Sequence, residues 1–132
     1  MNEIQSKYNI HLNLKKVWFD LILSGEKPEE YREIKPSFLK LLTNIAKDYE
    51  MYEGLTKDIA LEICNELLNF ESNIEFKNIK TITFSNGYRK DRRQFVIELK
   101  YIKIGYGKPE WGAEPNQKYF VLNLGKIIKY SL

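Results

Sequence analysis

The feature that most constrains the fold is a change of hydrophobic period near the start of the chain. Tyr8–Leu14 alternates between apolar and polar residues, which is typical of a half-buried strand. Val17–Leu23 instead places apolar residues at helical spacing, and Gly25 follows as a helix stop. Pro28 prevents the helix from resuming, so that the chain re-enters as a strand over Glu29–Ile34. The pattern predicts a strand, a helix and a second strand in that order.

Three charged residues lie at fixed offsets where that helix gives way to the second strand. Glu30 and Arg32 are two residues apart, so that in a strand they point to the same face. Lys27 lies in the turn just before them. An ammonium, a carboxylate and a guanidinium that converge on one surface suit a phosphate group or the edge of a base. The alternative interpretation is a set of exposed ion pairs of little energetic value.

The middle of the chain has the pattern of a helical insertion, at about residues 37–70. Apolar residues recur at helical spacing on both sides of Gly54, which interrupts the pattern. Thr56 has the character of an N-cap, because Asp58 follows in the first turn. Cys64 falls among the apolar positions, and we interpret it as a small buried residue.

The last part of the chain returns to the period of a strand. Further strand-forming stretches are predicted at residues 76–85, 94–104 and 118–130. Asn86 and Gly87 form a turn signal before a basic segment, Tyr88–Arg93, and residues 105–117 form a loop rich in Gly and Pro. These elements predict an α+β protein, a single domain over residues 1–132, built on a small, mostly antiparallel β-barrel with flanking helices.

Composition excludes several classes of protein. The chain of 132 residues is 43% hydrophobic and 30% charged, and its net charge of +3 permits an anionic partner without requiring one. A single cysteine excludes an internal disulfide and a cysteine-rich zinc site. We expect no cofactor and no metal, because the chain has neither a metal-ligand constellation nor a phosphate-cradling glycine loop. The polar first residues and the lack of a membrane-spanning run indicate a cytoplasmic protein without a membrane partner.

The only histidine, His11, is predicted on the polar face of the first strand. A lone histidine at such a position is more often a surface or hydrogen-bonded residue than a base. We therefore leave His11 out of the candidate site and find no Ser-His-Asp set in the sequence.

The pattern Gly-x-Lys-x-x-Glu-x-Arg, formed by Gly25, Lys27, Glu30 and Arg32, resembles the signature of ASCH domains, which are small relatives of the PUA domain. The strand-then-helix segment over residues 14–25 is similar to the lead-in of that family. Three later segments resemble the phage and prophage branch of the family: residues 83–88, 107–113 and 119–125. The helical insertion resembles no segment that we can name.

The resemblance implies a PUA-like barrel with a cleft beside the motif. Such domains bind RNA or another nucleic acid, often around a single unstacked or modified nucleotide. The residues that we assign to the cleft are Lys27, Glu30, Arg32, Ser85, Asn86, Tyr88, Arg89 and Trp111. Ser85 and Asn86 are interpreted equally well as residues that close a hairpin. For Trp111 we favour the interpretation that it anchors its loop over the interpretation that it stacks on a base.

The sequence is compatible with two functions other than nucleic-acid binding. The first is a small hydrolase of a modified nucleoside or of RNA, with Lys27 and Glu30 as catalytic residues. One branch of the family resembles an amidohydrolase of acylated cytidine that uses a threonine where this chain has Glu30, and a carboxylate does not replace an activated hydroxyl nucleophile. The second is a phage protein-interaction domain that docks a partner on the helical insertion.

Overall fold

The computed structural model describes residues 8–49 and 54–131. Among these residues the protein has both α-helices and β-strands, as the sequence predicts. The strands are β1 (Asn9–Asn13), β2 (Glu29–Glu33), β3 (Thr81–Ser85), β4 (Gln94–Tyr106) and β5 (Lys118–Ser131). The helices are α1 (Lys16–Leu23), α2 (Pro36–Leu42), α3 (Ile45–Asp48) and α4 (Lys57–Asn69), with one turn of 3₁₀-helix at Pro109–Trp111. None of the described helices is long and apolar enough to cross a bilayer.

The five strands form one mixed sheet in the order β1-β3-β4-β5-β2. β1 is parallel to β3, with Asn9 opposite Thr81 and Asn13 opposite Ser85. β3 is antiparallel to β4. The long connection between β1 and β3 permits this parallel pair, because a parallel crossover needs a dozen residues or more. The PUA-like barrel remains a prediction.

The chain forms two compact units, and three of the strands run from one unit into the other. Within the described residues, the first unit comprises the chain up to Glu30, Asn78–Ile102 and the chain from Leu122. The second unit comprises Tyr31–Lys77 and Lys103–Val121. Each unit is described by itself below.

The sheet of the first unit has one apolar and one polar face. Leu12, Phe84 and Phe95 are buried, and the ring of Phe19 from α1 meets the ring of Phe95 edge-on at 4.8 Å between centroids. The alternate positions of β1 and β3 carry polar side chains, among them that of His11, as the alternation of the sequence predicts. The polar face therefore presents hydrogen-bonding groups.

The core of the second unit lies between α2 and α4. The buried residues of these helices are Leu39, Leu42, Ala60, Cys64 and Leu67. The prediction for Cys64 is confirmed, since only 3% of its surface is exposed. The side chain of Thr56 accepts a hydrogen bond from Ile59 N, so that its predicted role as N-cap is also confirmed.

Two local features differ from the sequence analysis. The apolar stripe predicted to cover residues 38–46 is divided between α2 and α3, because Thr43 is extended and bridges to Phe76. The strand predicted at residues 76–85 begins only at Thr81. The connection between β3 and β4 comprises residues 86–93, so that Asn86 and Gly87 open the turn and the basic segment Tyr88–Arg93 completes it, as the sequence predicts. Gly87 takes a positive φ of 88°, which a glycine adopts without strain.

Candidate functional site

The motif begins in a turn that hydrogen bonds hold at both ends. α1 ends at Leu23, and Gly25 takes a φ of 87°. The amide of Lys27 donates back to Leu21 O at 3.0 Å, and Pro28 O accepts from Leu124 N of β5 at 2.9 Å. The turn is thereby fixed to the helix before it and to a strand from the end of the chain.

Lys27 and Glu30 meet in a buried ion pair. The ammonium of Lys27 donates to Glu30 Oε1 at 3.1 Å and to the backbone oxygen of Glu29 at 2.5 Å. The side chain of Lys27 has no exposed surface, and that of Glu30 has 9%. Two opposite charges removed from water are stable only as a well-hydrogen-bonded pair, and here Lys27 fixes the carboxylate of Glu30 in place. In this structure the ammonium of Lys27 is thus engaged by a carboxylate and a backbone oxygen.

Trp18 belongs to this cluster, and the sequence analysis missed it as a site residue. The ammonium of Lys27 lies 5.6 Å from the centroid of the Trp18 ring, within the range of a cation–π interaction. The helical spacing assigned Trp18 to an apolar stripe, but it is only half-buried, unlike Phe19 and Ile22. Its position on the helix that leads directly into the motif was the sequence signal that could have identified Trp18 as a site residue.

Arg32, the third member of the motif, lies on β2 within the second unit. Its guanidinium lies 5.5 Å from the ring centroid of Phe38 at the start of α2. Lys27 and Glu30 belong to the first unit, so that the convergence of all three charged groups remains a prediction.

The loop that carries Trp111 is anchored by other residues of the second unit. The hydroxyl of Tyr31 accepts from Lys108 N at 3.1 Å, and the hydroxyl of Tyr119 accepts from Glu114 N at 2.8 Å. Trp111 itself is half-buried, with the ammonium of Lys108 at 4.5 Å from its ring centroid. The two tyrosines therefore anchor the loop, and the role of the Trp111 indole in binding a ligand remains a prediction.

Ser85 and Asn86 have structural partners in the first unit. Asn86 Nδ2 donates to Leu14 O at 3.0 Å, which ties the start of the turn to the end of β1. Ser85 is 2% exposed, and its Oγ lies 2.5 Å from Nε2 of His11. These contacts support the interpretation that both residues close the hairpin.

The Ser85–His11 contact belongs to a directed chain of hydrogen bonds. We assign the amide of Gln94 with its oxygen toward Arg92 and Ser85, because this orientation satisfies both amide atoms. The hydroxyl of Ser85 then donates to Gln94 at 2.9 Å, so that His11 Nε2 must donate to Ser85 Oγ. His11 therefore holds its proton on Nε2 and does not activate Ser85 as a nucleophile.

The titration of His11 provides a test of this chain. Burial, and then the nearby charge of Arg92, lower the pKa of His11 below its ordinary value of 6.5. The unfolded chain binds the proton more tightly, so that this group lowers stability as the pH falls from 6.5 through the folded pKa and has no effect above 6.5. We expect NMR of the single imidazole to show a lowered pKa and a proton on Nε2 at neutral pH. A neutral form protonated on Nδ1 would contradict the assignment.

Among the described residues, no group of three or more His, Cys, Asp or Glu side chains is placed to hold a metal ion. Among the described residues of the insertion, large apolar side chains are exposed at Leu61 on α4 and at Phe70, the C-cap of that helix. Comparison of the chain with protein-family models, with curated proteins and with solved structures gave no match. The resemblance to ASCH domains accordingly rests on the motif and on the similar sequence segments, and it remains a prediction.

Proposed function

We propose that this protein binds single-stranded RNA or another nucleic acid, and that it contacts an unstacked or modified nucleotide beside the Gly-x-Lys-x-x-Glu-x-Arg motif. The observation that carries the proposal is the β3–β4 turn, residues 86–93. Tyr88 is 87% exposed there, and the side chain of Arg89, the next residue, is 86% exposed. An exposed aromatic ring among cations is the arrangement with which proteins stack a base and contact the adjacent phosphate.

The motif has a distinct role in the proposal. Glu30 is a carboxylate that Lys27 holds in one position, and a fixed carboxylate accepts hydrogen bonds from the exocyclic amine of a base. The buried ammonium of Lys27 supports Glu30 and has no surface of its own for a ligand. Trp18, Arg32 and Trp111 add aromatic and cationic groups that suit the same class of ligand.

We expect Tyr88→Ala to weaken the binding of a fluorescently labelled single-stranded RNA by about tenfold, since stacking on one aromatic ring contributes ~1–3 kcal/mol per base. Fluorescence anisotropy at low salt measures the dissociation constant. Tyr101→Ala is the matched control, because Tyr101 is also exposed, at 51%, and lies on β4 of the same unit. The proposal would be refuted if the two variants lost the same amount of affinity. It would also be refuted if the wild type bound neither RNA, DNA nor modified nucleosides.

We expect Arg89→Gln to change the salt dependence of binding. Each phosphate contact that is lost lowers the slope of log affinity against log salt concentration by about 0.7 on a single strand. The same titrations at several salt concentrations measure this slope. A slope that Arg89→Gln leaves unchanged would remove Arg89 from the interface.

A further inference from the structure

The charged residues of the β3–β4 turn differ in their partners. Arg93 Nη1 lies 2.9 Å from Asp20 of α1, and the Arg89 side chain lies 3.4 Å from Asp91. The hydrogen bonds that Asp20 accepts, first from Lys16 and then from Arg93, lower its pKa and keep its carboxylate charged. Two of the arginines in the turn are thus compensated by a carboxylate.

Arg92 is held by neutral oxygens instead. Its Nη1 donates to the backbone oxygen of Arg89 at 3.0 Å, while Nε and Nη2 donate to the side-chain oxygen of Gln94 at 3.2 and 3.0 Å. Among the described residues, no carboxylate lies within ion-pair distance of Arg92. Three of the five N–H groups of a guanidinium are therefore engaged by this part of the structure, and two are left for a ligand. The guanidinium of Arg92 is half-buried and is fixed by these three hydrogen bonds, and no described carboxylate neutralises its charge. It is therefore a preorganised group for binding an anion.

His11 lies at the other end of the same hydrogen-bond chain. Its Nε2 donates to the buried Ser85, which donates to Gln94, the residue that holds Arg92. The imidazole is exposed, and within the described part of the chain Nδ1 has no hydrogen-bond partner. From β3 it faces the uncharged Thr83 and Ser85, and the positive charge of Arg92 in the turn acts on it electrostatically. The charge of Arg92 disfavours a proton on Nδ1, and an anion that neutralises Arg92 would remove that penalty.

We propose that Arg92 and His11 bind a phosphate group on the polar face of the sheet in the first unit. Arg92 offers its two remaining N–H groups, and His11 takes up a proton from solvent on Nδ1, keeps it, and donates a hydrogen bond from this N–H to a phosphate oxygen. Ser85 and Gln94 are positioning residues that hold the two binding groups. This inference deepens the proposed function and rests on it only for the source of the phosphate, which is the terminal phosphate monoester of a nucleic acid strand. A monoester carries up to two negative charges near neutral pH and so exceeds a backbone phosphate in charge.

The titration of His11 with inorganic phosphate tests the site without any nucleic acid. Since the chain has a single histidine, its imidazole resonance in NMR is read without ambiguity. We expect phosphate to raise the pKa of His11 in the wild type and in Lys90→Gln, which removes an exposed cation from the same turn. In Arg92→Gln we expect no such rise. A wild-type pKa that phosphate leaves unchanged, or an equal rise in Arg92→Gln, would overturn the inference.

A second experiment identifies the source of the phosphate. The same short RNA is prepared with a 5′-phosphate and with a 5′-hydroxyl group, and binding is measured at low salt. We expect the 5′-phosphorylated strand to bind about tenfold more tightly, as one set of charge-assisted hydrogen bonds provides. Arg92→Gln should abolish this preference, and Lys90→Gln should keep it.

The outcomes of the two experiments separate the two proposals. Equal binding of both strands would refute the terminal-phosphate site and leave the proposed function intact. Binding of neither strand would refute the proposed function, and the response of His11 to inorganic phosphate would still decide the anion site.

Discussion

Lys27→Ala is expected to lower the free energy of unfolding by about 3–5 kcal/mol, the range found when one partner of a buried ion pair is removed. The ammonium has no exposed surface, and its loss takes from Glu30 a charge partner at 3.1 Å. Glu30 then keeps a largely buried carboxylate that has lost the nearby ammonium of Lys27. Urea denaturation measures the change, with the midpoint compared at a constant m-value.

The matched control for Lys27 is Lys16. Its ammonium is closer to its partner, at 2.7 Å from Asp20, but its side chain is 76% exposed. Exposed pairs at this helical spacing contribute ~0.3–0.5 kcal/mol, so that Lys16→Ala should have a small effect despite the shorter distance. The double variant Lys27→Met/Glu30→Leu should recover much of the stability, because a hydrophobic pair replaces a buried ion pair at little cost. Similar losses in Lys27→Ala and Lys16→Ala would show that burial does not determine the energy.

Gly107→Ala is expected to destabilise the protein by about 1–3 kcal/mol, the usual cost of adding a methyl group to a close-packed position. A Cβ atom at Gly107 would lie 2.7 Å from Cβ of Ala113 and 2.7 Å from Cζ of Tyr31. Ala113 is buried, and the Tyr31 hydroxyl is bonded to the loop, so that neither neighbour moves without disturbing the Trp111 loop. Thermal unfolding followed by circular dichroism measures the loss of stability.

Gly105 is the control for this variant. It lies two residues earlier, and a Cβ atom there meets only Lys103 Cε, at 3.9 Å, which is an ordinary contact. Gly105→Ala should therefore leave the unfolding temperature nearly unchanged. If the two alanine variants have the same unfolding temperature, the close approach of Tyr31 and Ala113 to Gly107 does not control the stability of the loop.

Local periodicity predicted the helices and strands well, because each depends on neighbouring residues. The sequence correctly predicted the alternation before residue 14, the helix stop at Gly25 and the N-cap at Thr56. The sequence did not predict the interruption of the helical segment at Thr43, since this interruption depends on a β-bridge to Phe76, which is distant in sequence. The parallel pairing of β1 with β3 is equally non-local, and no pattern within either strand specifies it.

The candidate site was predictable in part. The spacing of Lys27 and Glu30 correctly indicated that the two side chains meet, but it did not indicate that Lys27 would be buried, because burial depends on elements far along the chain. His11 was set aside as a lone histidine. Its connection through Ser85 and Gln94 to Arg92 required three strand positions that only the folded sheet brings together.

The hydrogen bond from Leu124 to Pro28 has a consequence for the order of assembly. The motif is translated before the strand that secures its turn, and most of the described chain lies between the two. Contacts of such separation form slowly, after the loop between them has closed. A nascent chain that has not yet emerged as far as residue 124 would already display every side chain of the motif and still lack this tether. We therefore expect binding competence to arise only after β5 has been synthesised and has joined the sheet.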